Sequence, residues 1–209
     1  MKNHKNIPLL LPTIGIVIFI GLFIYTASLY PGGSQLEPES VGFDWQRNYW
    51  CNLMSEEALN GEINPARPVA LTAMVLLCVS MAYFFFLFAE YYEEHPKWRR
   101  AIKISGITGM LSAIFIFTSW HDVMTTLLSV AGIVVIIGMI RALYRNTYIP
   151  FMIAGIGCMI VIGINNWFYY DERFLAYSPL VQKTAFVLIL GWTIALNLNM
   201  KRVSLKQWR

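Results

Sequence analysis

The sequence predicts an all-α, polytopic integral membrane protein: a bundle of six transmembrane helices with a structured outer loop between the first two. Three observations predict it. Of its 209 residues, 57% are hydrophobic and only 13% are charged, whereas a soluble domain usually carries about 25% charged residues. The charges that exist are confined to short segments between long apolar runs, and the mean hydropathy is +0.53. The cations also fall on alternate connections, as they do when successive loops face opposite sides of a bilayer.

Crossing a hydrocarbon core of about 30 Å takes about 20 apolar residues in a helix. The expected spans are residues 7–29, 68–91, 102–119, 123–142, 149–169 and 179–199, the third being the shortest. Helices are required because lipid offers no partner to a free backbone N–H or C=O. The alternating pattern of a barrel strand is absent. The first span joins Lys residues, an apolar stretch and Thr26-Ala27-Ser28, as a signal peptide does. Its apolar run exceeds the usual signal core of about 7–15 residues, so an uncleaved anchor is expected. Ser178-Pro179 reads as an N-cap followed by Pro at the first helical position. Gly106, Gly109 and Ser112, and likewise Gly155, Gly157 and Gly163, offer small surfaces for close helix approach. With no internal repeat and no low-complexity stretch, residues 1–209 are expected to form one domain.

Orientation follows from Lys and Arg. Lys2 and Lys5, then Lys97, Arg99, Arg100 and Lys103, then Arg141 and Arg145, then Lys201, Arg202, Lys206 and Arg209 fall on one side, 12 of the 16 basic residues. Arg47, Arg67 and Arg173 fall on the other, with Lys183 about one turn inside the sixth span. The positive-inside rule then places both termini in the cytoplasm, as expected for a multi-pass protein of the inner (plasma) membrane. Trp98 and Trp208 mark the inner interface, Trp120 and Trp167 the outer one. The net charge of +4 comes from these scattered loop cations and lacks the basic stripe that nucleic-acid binding needs.

The only long connection is residues 30–67, with six acids against Arg47 and Arg67. Tyr30-Pro31-Gly32-Gly33-Ser34 is a turn by composition. The stretch from Gly42 to Met54 mixes aromatics with amides and charges, which argues against disorder, and Asp44 is placed to cap a short helix running through Leu59. Such a segment would fold over the outer mouth of the bundle. The order of a first helix, a Pro-Gly turn, Arg47-Asn48-Tyr49-Trp50-Cys51-Asn52-Leu53, then Asn64-Pro65-Ala66-Arg67-Pro68 opening a second helix, continues into a basic inner loop and a glycine-bearing third helix ending at His121. Over roughly the first 145 residues this resembles the bacterial and archaeal family catalogued as domain of unknown function 998, which is similar in layout to the autophagy-modulator-type (DRAM-like) membrane proteins. That family typically continues its Asn-Tyr motif with Asp-Leu-Gly, where this chain has Asn52-Leu53-Met54. The resemblance implies a six-helix membrane fold and brings no established reaction.

The polar residues carry the candidate chemistry. His121-Asp122 lies in the outer turn before the fourth span. A His beside a carboxylate suits a general base acting on a lipid headgroup or on water. Ser119-Trp120-His121-Asp122 equally has the spacing of a capping box, and Asp122 can cap the helix itself. Lys183 and Asn165-Asn166 lie in the outer third of the membrane. A charge there faces the interior and finds a partner, such as Asp171, Glu172 or Asp122, or it snorkels outward, while asparagines commonly bridge helices. Arg47 and Arg67 suit capture of phosphate or carboxylate, or pair with the neighbouring acids. Glu90, Glu93 and Glu94 read as a solvated face with local ion pairs.

No motif for a P-loop, dinucleotide, serine hydrolase or zinc protease occurs. His4 and His95 fall on the opposite side from His121, so neither a three-histidine zinc site nor bis-His haem can be assembled in one copy. A mixed zinc site of His121, Asp122 and Cys51 or Asp44 uses ligand types that zinc accepts, but no cofactor is expected. Cys51, Cys78 and Cys158 lie too far apart for a CxxC pair. The expected function is binding of a lipid, a small amphiphile or a partner protein at the outer mouth, with Asp44, Arg47, Asn48, Asn52, Arg67, Asn165 and Lys183 as candidate contacts. The expected partners are membrane lipids, another membrane protein or a second copy. Two alternatives stay open. One is a lipid-directed enzyme using His121 and Asp122, and the other is a small transporter lined by Lys183 and Asn165.

Overall fold

A computed structural model describes residues 8–206, with side chains up to 202. Lys2, His4, Lys5, Trp208 and Arg209, used above for the inner face, lie outside the described residues, as does the Lys206 side chain. The described chain is all-helical, with six α-helices: α1 Leu11–Ser28, α2 Arg67–Tyr92, α3 Pro96–Ile114, α4 His121–Arg145, α5 Ile149–Tyr170 and α6 Ser178–Lys206. Short 3-10 turns occupy Trp50–Met54 and Glu172–Phe174. Five helices (all but α3) are long and apolar enough to cross a membrane. Many large apolar side chains are outward-facing, including Ile14, Val17, Ile153 and Ile160, which a membrane protein can afford and a water-soluble one of this size cannot.

The third helix departs from its expected range of 102–119. It begins six residues earlier because Pro96 occupies the first turn, where no N–H is needed, so the basic residues ride on the helix. It ends at Ile114, where the Phe115 N–H turns back to the Ser112 carbonyl (3.1 Å) and the Thr118 N–H to that of Phe115 (3.1 Å). Its charge-free part, residues 104–114, rises only about 16 Å at about 1.5 Å per residue. The sixth helix runs past the expected 199 to Lys206.

Contacts divide the chain into two compact units. The first comprises Met1–Val17, Leu77–Phe151 and Thr193–Arg209; the second comprises Ile18–Leu76 and Met152–Trp192.

In the first unit α3 packs along α4. Glycines leave room on both sides of α3: a Cβ added at Gly138 of α4 would meet the Ile102 side chain of α3 at 2.6 Å, and one at Gly106 of α3 would meet the Phe85 side chain of α2 at 2.6 Å. Gly106→Leu is expected to overpack the contact between α3 and α2 and lower stability by about 1–3 kcal/mol, read as an earlier thermal melt in detergent. Phe84, Leu87, Phe88, Ile102, Met139, Leu143, Leu196 and Met200 form the buried core. Asn197, fully buried, accepts from Thr13 Oγ1 (2.7 Å) and donates to the Leu9 carbonyl (2.9 Å). Such side-chain bonds bridge helices where lipid offers none.

The corner between α2 and α3 corrects the reading of Glu93 as part of a solvated face. Glu93 is 4% exposed. Its carboxylate accepts from the His95 N–H (2.8 Å) and pairs with Arg141 of α4 (2.5 Å), while its carbonyl accepts from Arg99 Nε (2.8 Å). Glu90 pairs with Lys103. Asn146 donates to the carbonyls of Tyr92 (2.7 Å) and Ala142 (2.8 Å), closing the last turn of α4 against α2.

In the second unit the long loop is ordered. The Gly33 N–H donates to the Ser40 carbonyl (2.7 Å) and the Gly42 N–H to that of Pro31 (2.9 Å). Gly33 has φ +82°, and a Cβ there would meet the backbone N of Asn60 at 2.3 Å, so both conformation and space require glycine. Asn64 staples the loop's far end. Its amide donates to the carbonyls of Asn52 (3.2 Å), Leu53 (3.2 Å) and Ser55 (3.0 Å), and its oxygen accepts from the Ala66 N–H (3.1 Å) at the start of α2. Trp50 packs against Phe23 of α1 (5.3 Å between centroids) and Phe186 of α6 (5.1 Å). Trp192 of α6 fits against Gly155 of α5.

Candidate functional site

The second unit brings together Asp44, Asn48 and Lys183. Asp44 does not cap a helix through Leu59. Its Oδ1 accepts from the N–H groups of Gln46 (2.7 Å) and Arg47 (3.1 Å), closing a tight turn before the 3-10 segment. Asn48, fully buried, accepts from the Asp44 N–H (2.8 Å) and donates to the Gly33 carbonyl (2.7 Å). Lys183 is 8% exposed, and its ammonium donates to the Asn48 carbonyl and to that of Pro179 (3.1 Å), with the Phe43 ring 5.7 Å away. The expectation that Lys183 pairs with Asp171, Glu172 or Asp122, or snorkels, is therefore corrected. Two carbonyls and an aromatic face receive the ammonium, with Asp44 as the nearby opposite charge. Asp171 is instead held by Arg173 (2.7 Å), whose hydrogen bond lowers its carboxyl below the ordinary value.

One residue along, Gln182 accepts from the Trp50 N–H through Oε1 (3.0 Å). Gln182 and Lys183 thus clamp both ends of the Asn48–Trp50 segment onto α6. Arg47 lies outside this clamp, paired with Glu37 and, at 3.8 Å, with Asp44. Arg67 pairs with Glu56 (2.8 Å). These partly exposed pairs each add little stability.

The second unit also holds buried polar atoms that make no well-formed hydrogen bond. Among them are Tyr49 Oη, Asn52 Oδ1, Ser178 Oγ and Asn165 Oδ1. Tyr49 is 5% exposed, Asn52 6% and Ser178 0%. The Tyr49 ring meets that of Tyr169 (6.2 Å), one turn of α5 beyond Asn165. Burial pushes the Tyr49 hydroxyl above its ordinary pKa, with the Ser178 hydroxyl beside it drawing it back and Tyr169 adding to the rise. Ser178 makes no N-cap bond, since the Leu180 and Val181 N–H groups turn to the Tyr177 carbonyl (3.1 Å each). An unpaired buried hydroxyl or amide oxygen costs about 1–3 kcal/mol, and sites retaining several such atoms suit a polar ligand group. Chemically, the neighbouring Tyr49 and Ser178 hydroxyls suit an uncharged head that both donates and accepts.

His121 and Asp122 belong to the first unit. The His121 Nδ1 and an Asp122 carboxylate oxygen lie 3.1 Å apart, with side chains 62% and 102% exposed. The expected caps are absent. The helix starts at His121 with no side-chain cap bond, and Thr118 Oγ1 accepts from the Trp120 N–H (3.3 Å), leaving Asp122 as an acid in the first turn. An acid there still favours the helix dipole. Among the described residues, no three His, Cys, Asp or Glu side chains gather closely enough to share a metal.

Sequence reasoning missed Tyr49, Asn64, Ser178 and Gln182 as members of this unit's polar network. Asn64 carried a usable signal, since an Asn-Pro pair starts turns. Gln182 carried none, being one polar residue in an apolar helix. No family model, curated protein or solved structure matches this chain.

Proposed function

We propose that this chain is a multi-pass protein of the inner (plasma) membrane, with both termini cytoplasmic, that binds a small amphiphile through the polar groups beneath its outer loop. In this reading α3 counts as the sixth crossing, its short apolar part being met by local thinning of the bilayer. The amphiphile's head is uncharged, a hydroxyl, ester or amide, because the unpaired atoms are hydroxyls and amide oxygens while the nearby cations are already engaged. One observation carries the reading: Tyr49, Asn52 and Ser178 are more than nine-tenths buried, yet Asn52 Oδ1 has no partner and the Tyr49 and Ser178 hydroxyls have at most each other. Membership of the domain-of-unknown-function 998 family is part of the proposal, resting on Arg47–Leu53 and Asn64–Pro68.

The test compares wild type with Tyr49→Phe and Ser178→Ala, each purified in mild detergent, by mass spectrometry of co-purified lipid. Losing one hydrogen bond to the head should weaken retention by about threefold to tenfold, and the melting temperature should fall with it. If the hydroxyls hold no lipid and only face each other, Tyr49→Phe should leave the lipid complement the same, which rejects the reading. A terminal reporter active only outside the cytoplasm should stay silent at both ends. A signal at either end rejects the topology.

A further inference from the structure

The helix α3 carries four cations in its first two turns, and the helical period sorts them into two pairs. Arg99 and Lys103 face into the first unit, where they bind the Glu93 and Glu94 carbonyls and the Glu90 carboxylate. Lys97 and Arg100 face outward, exposed, and among the described residues neither holds an ion pair. They share that outward face with Ile104, Ile107 and Leu111, all exposed, at the spacing of residues on one side of a helix. A shallow cleft of about 360 Å³ lies at the junction, lined by Pro96, Lys97, Arg100, Ala101, Ile104 and Ser105. We infer that this face of α3 is a binding site for an anionic phospholipid, its phosphate held between Lys97 and Arg100 and one acyl chain lying along Ile104, Ile107 and Leu111.

Charge and shape select this occupant together. An apolar stripe on a membrane protein is covered by acyl chains in any lipid, but this stripe ends in two uncompensated cations where a headgroup phosphate would sit. The positive end of the α3 dipole adds to the same field. Arg offers a planar fork to phosphate oxygens and Lys a mobile point charge. The site is separate from the groups beneath the outer loop, and no residue is shared between them.

The experiment counts lipid adducts by native mass spectrometry on detergent-purified protein titrated with phosphatidylglycerol or phosphatidylcholine. Each cation near the membrane surface is worth about a factor of five toward an anionic lipid, so wild type should prefer phosphatidylglycerol by at least about tenfold. Lys97→Gln with Arg100→Gln should bring that preference to within about twofold and leave the melting temperature in lipid-free detergent unchanged, since both side chains are exposed. Lys201→Gln with Arg202→Gln, a control pair outside the cleft, should leave the preference intact. An unchanged preference in the α3 variant overturns the site, and so does an equal loss in the control, which would mean diffuse attraction. Glycerol phosphate should fail to displace the lipid at equal concentration; if it competes equally, the acyl groove has no part in binding and the inference is wrong.

Discussion

Asn48→Ala is expected to release the long loop between α1 and α2 and to destabilise the protein by about 2–6 kcal/mol, since two backbone groups lose their partners at about 1–3 kcal/mol each. Those groups are the Asp44 N–H and the Gly33 carbonyl. The site demands an amide because one end must accept and the other donate. Asn48→Asp keeps the acceptor and loses the donor, so it should also destabilise, although Lys183 nearby offsets part of its charge. Thermal unfolding in detergent measures the loss of stability. Limited trypsin digestion locates it, because Arg47 lies in the same turn and should be cut faster in the variant. An Asn48→Ala protein that melts like wild type and resists trypsin equally would show that the clamp does not hold the loop. Lys183→Met makes a useful contrast. It deprives the Asn48 carbonyl of its donor but also removes a charge that is costly to bury, so its effect on stability should be smaller.

The second large effect is expected at Glu93. Removing one member of a buried ion pair typically costs about 3–5 kcal/mol because the other is left uncompensated. Arg141 keeps some contact with solvent, its side chain being 24% exposed against 3% for Glu93, so Glu93→Ala should cost less, about 2–3 kcal/mol. Part of that comes from the His95 N–H, which loses its acceptor at the start of α3. Adding Arg141→Met to Glu93→Ala should restore a measurable fraction of the lost stability. The cycle isolates the coupling between the two residues, and strictly additive losses would show that the pair contributes nothing as a pair.

The candidate site was only partly legible. Lys183, Asn48, Asp44 and Asn52 were identified as polar groups out of keeping with their surroundings, and the structure places all four in one unit. The partners assigned to Lys183 were wrong for a definite reason. An opposite charge in a connection on the same side is the obvious partner for a lysine, yet a folded loop presents carbonyls as closely as any carboxylate. The capping expected at Ser119, Asp122 and Ser178 failed in a similar way, because residue type signals a cap only when the chain enters the helix at the right angle. At Ser178 the Tyr177 carbonyl takes the N–H groups that a cap would have served, and at α4 the helix starts at His121, between the two expected caps.

Properties that depend on local chain content were settled by the sequence alone. Long apolar runs must become helices once water is excluded, since only a helix pairs its own backbone groups, and five such runs are long enough to cross a membrane. The tertiary structure decided which polar groups meet. Lys183 reaches a carbonyl 135 residues away and Arg141 a carboxylate 48 residues away, pairings that depend on how helices pack and so leave no trace in spacing. The same packing turned Arg99 and Lys103 inward and left Lys97 and Arg100 outward, though all lie within seven residues, because a helix sorts neighbours by angle and only its packing partners define which angle faces in.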